Sequence, residues 1–176
     1  MKKLCVYLFI VGMIFSVHAQ EYGLEEYYES NELPAIVLKK AGNEFSVYYP
    51  DNLNPDSRVL ELENKFISYK IDNDFDGKES YLLLLEVEDG FLAATFNKNG
   101  KLVSVVEKFE NVKLPEKVRN SLAKKFPEWK MMKDKFLYVQ KRGEVKRKEY
   151  KIIMKKGNKI RRLIVNENGD IIKGRS

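Results

Sequence analysis

The sequence predicts an α+β chain built as a tandem repeat, each copy a helix followed by a four-stranded antiparallel meander, with the helices on one face of the sheet. Three observations predict it. A Leu-Pro pair opens a helix-like stretch twice, at Leu33-Pro34 and at Leu114-Pro115. An Asn-Gly pair, suited to the positive φ of a tight turn, lies near the end of each copy, at Asn99-Gly100 and Asn168-Gly169. Tyr81 precedes Gly100 by the same distance as Tyr150 precedes Gly169, with Asn97 and Asn166 aligned between.

The N-terminal segment reads as an export signal covering residues 1–19. Lys2 and Lys3 form a basic start, Leu4 to Val17 is almost wholly apolar, and Val17 and Ala19 place small residues before a cut at Gln20. The apolar run is shorter than the roughly 20 residues needed to span a bilayer, so cleavage is expected and no transmembrane segment after it. Cleavage removes Cys5 and His18, the chain's only Cys and His. Cys or His nucleophiles, His bases and zinc sites with such ligands are thereby excluded, and no disulfide is expected. The expected location is the periplasm or outside the cell. Residues 20–32, rich in Glu and Tyr, read as a loose arm.

The first copy is expected over residues 33–110. Val37, Ala41 and Phe45 recur in steps of four after Pro34, which predicts a helix stopped by Pro50, weakened by Gly42 at about 1 kcal/mol relative to Ala. Strands are expected at Val59 to Ile71, Tyr81 to Glu88, Phe91 to Phe96 and Lys101 to Phe109. The second copy covers 111–176. Its helix is marked by Val118, Leu122 and Phe126 and stopped by Pro127, and its strands run Lys135 to Lys141, Lys148 to Lys155, Lys159 to Val165 and Asp170 to Lys173.

The series Phe96-Asn97-Lys98-Asn99-Gly100-Lys101-Leu102-Val103, then Val112-Lys113-Leu114-Pro115 with Val118, then Phe126-Pro127-Glu128-Trp129, Tyr150-Lys151-Ile152 and Asn168-Gly169 resembles the PepSY-like proteins. These are exported modules, common in Bacteroidetes, with the fold of beta-lactamase inhibitor protein. The resemblance covers nearly the whole chain after the signal and is strongest from Leu92 onward. It implies a periplasmic or secreted binding or inhibitory module with no agreed catalytic residues.

Charge divides the chain. Gln20 to Glu110 holds 19 acidic and 9 basic residues, whereas Asn111 to Ser176 holds 7 acidic and 21 basic. Two readings stand: the basic half is a docking surface for an anionic protein or envelope component, or solvated strand faces carry the charge and the two halves attract one another. In the strand Lys148 to Lys155, Tyr150, Ile152 and Met154 share one face, leaving Lys151, Ile153 and Lys155 on the other. With helices covering one side, the lysine side is expected to be open, joined by Arg161 or Arg162 according to register. Arg142, Lys146 and Lys148 sit at a hairpin end and complete the candidate contact surface. Trp129, with Met131 and Met132, forms a soft apolar cluster that reads either as a contact patch or as the cap of a small core. Nucleic acid is not expected as a partner.

Asp72-Asn73-Asp74-Phe75-Asp76-Gly77 matches the first half of a calcium loop, so Asp72, Asp74 and Asp76 are candidate ligands. Leu83 stands where that loop needs Glu, and a polar hairpin loop is the competing reading. No other cofactor is expected. The chain has no Gly-x-Ser-x-Gly elbow, phosphate loop or dinucleotide fingerprint, and carboxylate pairs such as Glu61 with Glu63 or Glu86 with Glu88 read as solvated strand positions. An enzyme is not expected. The function that follows is a non-catalytic exported binding or inhibitory module, monomeric, using an open sheet face. The alternative is a structural or accessory envelope subunit that self-associates through its oppositely charged halves.

Overall fold

A computed structural model describes residues 37–41, 44–51, 53–70 and 78–175. They lie within one unit, Glu32–Ser176. The expected signal, the arm and the candidate calcium ligands Asp72, Asp74 and Asp76 fall outside the described residues.

The chain after Pro34 is a hairpin, not the expected helix. Strand β1, Val37–Ala41, pairs antiparallel with β2, Glu44–Tyr48, and Ala41 stands opposite Glu44. The two residues between those partners in sequence are Gly42-Asn43, a pair that favours a hairpin turn and disfavours a helix interior. A spacing of four is also a multiple of two, so Val37, Ala41 and Phe45 fit either period.

The first helix comes later, where a strand was expected. It is α1, Ser57–Ser68. Asp56 caps it, its carboxylate accepting the Arg58 N–H at 3.0 Å. Val59, Leu62 and Phe66 then recur at helical spacing and are fully buried. The same Asp56 carboxylate accepts the Lys113 N–H at 2.8 Å, and the Arg58 guanidinium donates to the carbonyls of Glu110 at 3.2 Å and Asn111 at 3.0 Å. The helix start is thus bound to the loop that leads into the second helix, α2, Glu116–Lys125.

Seven strands pair antiparallel in chain order: β3 Tyr81–Val87, β4 Gly90–Phe96, β5 Leu102–Glu110, β6 Lys130–Lys141, β7 Glu144–Lys156, β8 Lys159–Asn166 and β9 Ile171–Arg175. Helix α2 interrupts the meander between β5 and β6. The first meander therefore has three strands, not four, because the stretch read as its opening strand is α1.

The two Asn-Gly turns share one hydrogen-bond pattern. Asn97 Oδ1 accepts from the N–H groups of Asn99 at 3.0 Å and Lys101 at 2.9 Å, and Asn166 Oδ1 accepts from Asn168 at 3.1 Å and Asp170 at 2.8 Å. The glycine N–H donates to the carbonyl of Asn97 or Asn166, with Gly100 at φ 74° and Gly169 at φ 84°. These turns join β4 to β5 and β8 to β9.

Register makes one face of the sheet the core. Leu85, Leu92, Glu107 and Tyr138 form one cross-strand row, and Val87, Gly90, Phe109, Phe136, Tyr150, Val165 and Ile171 form the next. The Phe109 ring lies over Gly90, filling the space a side chain there would take. Both helices contribute to the same apolar cluster, α1 through Val59, Leu62 and Phe66 and α2 through Val118 and Leu122. Ser121 Oγ donates to the Gly169 carbonyl at 2.5 Å, fastening α2 to the last turn.

Candidate functional site

The other face of the sheet is open among the described residues. On β7, Tyr150, Ile152 and Met154 are buried while Lys151 and Lys155 are exposed, as the alternation of a half-buried strand requires. The β8 register places Arg162 opposite Ile153 and so on the open face. Arg161 pairs with Met154 and lies on the covered face, its guanidinium 5.2 Å from the Phe126 ring centre and 5.1 Å from that of Trp129. Arg161 is therefore not part of the open surface.

Four strands build a basic groove on this face. Lys135, Lys151, Ile164 and Lys173 form one cross-strand row, and Lys133, Ile153, Arg162 and Arg175 the next. Together they line a depression of about 420 Å³. The two isoleucines are half-buried and form its floor, and the cations stand around them. Strands are about 4.8 Å apart, so the groove runs about 14 Å from β6 to β9.

Like charges face one another here. Lys135 is directly opposite Lys151, Arg162 opposite Arg175, and Lys130 opposite Lys155 just beyond the groove. Each such pair opposes sheet formation by a few tenths to about 1 kcal/mol. Lys135 is offset by Glu110 at 2.5 Å, and Lys151 stands 3.9 Å from Glu149. Lys133, Arg162, Lys173 and Arg175 form no ion pair among the described residues, Lys133 acting on Glu110 only at longer range. The surface holds more cations than its own carboxylates neutralise.

The other candidate residues lie elsewhere. Lys148 shares the covered face with Tyr150 and pairs with the buried Asp51 at 2.9 Å. Lys146 pairs with Glu144 beside the β6–β7 turn, and Arg142 sits in that turn at φ 50°, its N–H donating to the Val103 carbonyl at 2.8 Å. Trp129 packs edge-on against Phe126, ring centres 6.4 Å apart, at the far end of α2. Of the eight candidate contact residues, Lys151, Lys155 and Arg162 come together on the open face. Lys133, Lys135, Lys173 and Arg175 join them there. Parity along β6 was the signal that would have found Lys133 and Lys135; on β9 a register shift after Ile171 turns Lys173 and Arg175 to the open face, where parity from the core residue Ile171 would have sent them inward.

A second cluster is buried beneath α1. Glu107, fully buried on β5, accepts from Tyr48 Oη at 2.6 Å, and Glu63 of α1, 1% exposed, accepts the Asp51 N–H at 2.5 Å. The two carboxyls are close enough to act on one another electrostatically. Burial pushes Glu63 up to about 8, with the Asp51 carboxylate adding to it while the Asp51 N–H opposes it. Glu107 is raised too, by burial first and then by Glu63. Each carboxyl leaves one buried oxygen without a hydrogen-bond partner, which fits burial favouring the protonated form. Gln140 completes the cluster, donating to the Val47 carbonyl at 2.5 Å and accepting the N–H of Tyr49 at 3.1 Å and the hydroxyl of Tyr138 at 2.8 Å. These bonds hold the β2 segment to the sheet. The carboxyls face no solvent and tie α1 and the β2 segment to the sheet.

Among the described residues no group of three or more His, Cys, Asp or Glu is placed to hold a metal ion, and no helix is long and apolar enough to cross a membrane.

No family model matches the chain, and no curated protein is similar to it. Solved structures do show similarity. A DUF2874 family protein from Bacteroides uniformis aligns with TM-score 0.36 and 15% identity, over 56% of this chain and 71% of that one. A DUF2874 family protein from Bacteroides ovatus aligns with TM-score 0.35 and 16% identity, over 65% and 84%. A BLIP-like protein from Bacteroides fragilis aligns with TM-score 0.32 and 14% identity, over 71% and 88%.

Proposed function

We propose that this chain is a non-catalytic exported binding module, acting in the periplasm or outside the cell, that holds an anionic protein or envelope component against the open face of its sheet. The observation that carries the reading is the groove over β6 to β9, where Lys133, Arg162, Lys173 and Arg175 surround an apolar floor without an ion pair among the described residues. Cations set directly opposite one another cost stability in the free protein, and an anion between them recovers it. The tandem ancestry of the two halves is supported by the matched turns at Asn97 and Asn166, and is part of this proposal. The reading needs no cofactor and no nucleic acid; calcium at Asp72, Asp74 and Asp76 stands as a separate expectation of the sequence.

Affinity capture from envelope extracts tests it. The chain is expected to retain an anionic component that elutes with salt and is lost when Lys151, Lys155 and Arg162 are all reversed to Glu. Unchanged capture by that triple variant would contradict the assignment.

A further inference from the structure

We infer that the occupant of the groove is an extended segment of a partner protein in which two acidic side chains flank an apolar one on alternate residues. This names the partner of the surface proposed above and rests on that reading.

The geometry sets three requirements. Cations stand at both ends of the groove, Lys133 and Lys135 on β6 and Lys173 and Arg175 on β9. Those ends are about 14 Å apart across the strands. Between them the floor is apolar, since Ile153 on β7 and Ile164 on β8 occupy the centre and are only half-buried by the protein itself. An occupant must therefore bring negative charge at both ends and an apolar group in the middle.

An extended peptide meets all three. Alternate side chains point the same way and are spaced about 6.7 Å apart, so the first and third of such a set span about 13 Å. Carboxylates at those positions reach the two ends, and the side chain between them lands on the isoleucines. The Arg175 guanidinium offers the planar fork that binds a carboxylate through two parallel N–H bonds. A bilayer presents its phosphates in a plane and leaves the recessed isoleucines uncovered, and an acidic polysaccharide has no apolar side group to cover them.

Fluorescence anisotropy on the intact chain decides between these. The probe is a labelled peptide with Glu, Leu and Glu on alternate residues of a Ser/Thr background; the control has the same composition with the two Glu adjacent and Leu at one end. Parallel titrations use vesicles of phosphatidylglycerol and a sulfated polysaccharide. The alternating peptide is expected to bind about tenfold more tightly than its scramble. Lys173→Glu with Arg175→Glu is expected to lose about tenfold in affinity, as is Lys133→Glu on an interior strand, while Lys124→Glu on α2 changes nothing. Far-UV circular dichroism confirms that each variant is folded. Equal binding of the two peptides overturns the inference. Binding of vesicles or polysaccharide but not of the peptide overturns it while leaving the anionic reading intact, and binding of no anion at all overturns both.

Discussion

Glu63 of helix α1 and Glu107 of strand β5 are buried together inside the protein and act on one another electrostatically, with Tyr48 Oη donating to Glu107 at 2.6 Å. The pair joins the helix, the β2 segment and the sheet. It works as a joint only while it holds a proton.

Stability should therefore fall as pH rises. Glu63 is raised from 4.5 in the unfolded chain to about 8 in the fold, so between those values the folded state binds more protons than the unfolded state. The contribution is full below about 4.5 and is lost progressively towards about 8, a difference on the order of a few kcal/mol. Thermal melts across that window check the sign, and a melting temperature that rises with pH would contradict it. Glu107→Gln keeps an acceptor for Tyr48 and supplies an N–H towards Glu63 without needing a titrating proton. It is expected to flatten the pH dependence and to be the more stable protein at the alkaline end.

On the acid side Asp56 acts in the opposite sense. Burial raises its pKa, but hydrogen bonds from the Arg58 side chain and from the N–H groups of Lys113 and Arg58 outweigh it and hold the carboxylate below its ordinary value. Stability from this group is present above that ordinary value and is lost as pH falls through the folded one. Asp56→Ala removes the α1 cap and the acceptor of the Lys113 N–H together, and about 2 kcal/mol or more should be lost in urea unfolding.

The two Asn-Gly turns make a paired prediction. Asn97→Ala and Asn166→Ala each remove an acceptor of two backbone N–H groups, and each should cost about 1 to 2 kcal/mol. Gly169→Ala should cost about 2 kcal/mol or more, because φ is 84° and an added Cβ would lie 2.6 Å from the Lys117 carbonyl oxygen of α2. Denaturant midpoints of the three variants measure this directly.

The groove predicts a trade between stability and binding. Lys151→Glu places a carboxylate opposite Lys135 and beside Ile164, turning a repulsive cross-strand pair into an attractive one. The free protein should gain a few tenths to about 1 kcal/mol while losing affinity for anions. Loss of stability in this variant would mean that the cations of the groove are not in conflict.

Much of this was legible in the residues. Strands β3 to β5 and β7 to β9 announce themselves by alternation between turn signals, and the Asn-Gly pairs place two hairpins correctly. The 33–70 region was not legible, because spacings of four suit a strand face as well as a helix, and the Asp56 cap before Ser57 was the better helix signal. Parity alone would have sent Lys148 inward with Tyr150 and Arg161 inward with Leu163 and Val165, leaving Arg162 outside. Glu107 also had a signal: it alternates with the buried Val105 and Phe109, so its carboxyl had to enter the core. Nothing in the sequence pairs it with Glu63, since that contact depends on where α1 comes to rest.

Backbone and side-chain NMR shifts of the intact chain, followed while the alternating acidic peptide is added, test the central claim most directly. The account predicts salt-sensitive shifts concentrated at Lys133, Lys151, Ile153, Arg162, Ile164 and Lys173, with α1 and α2 unmoved. Shifts centred on the helices or on the β1–β2 hairpin, with those six residues silent, would contradict it.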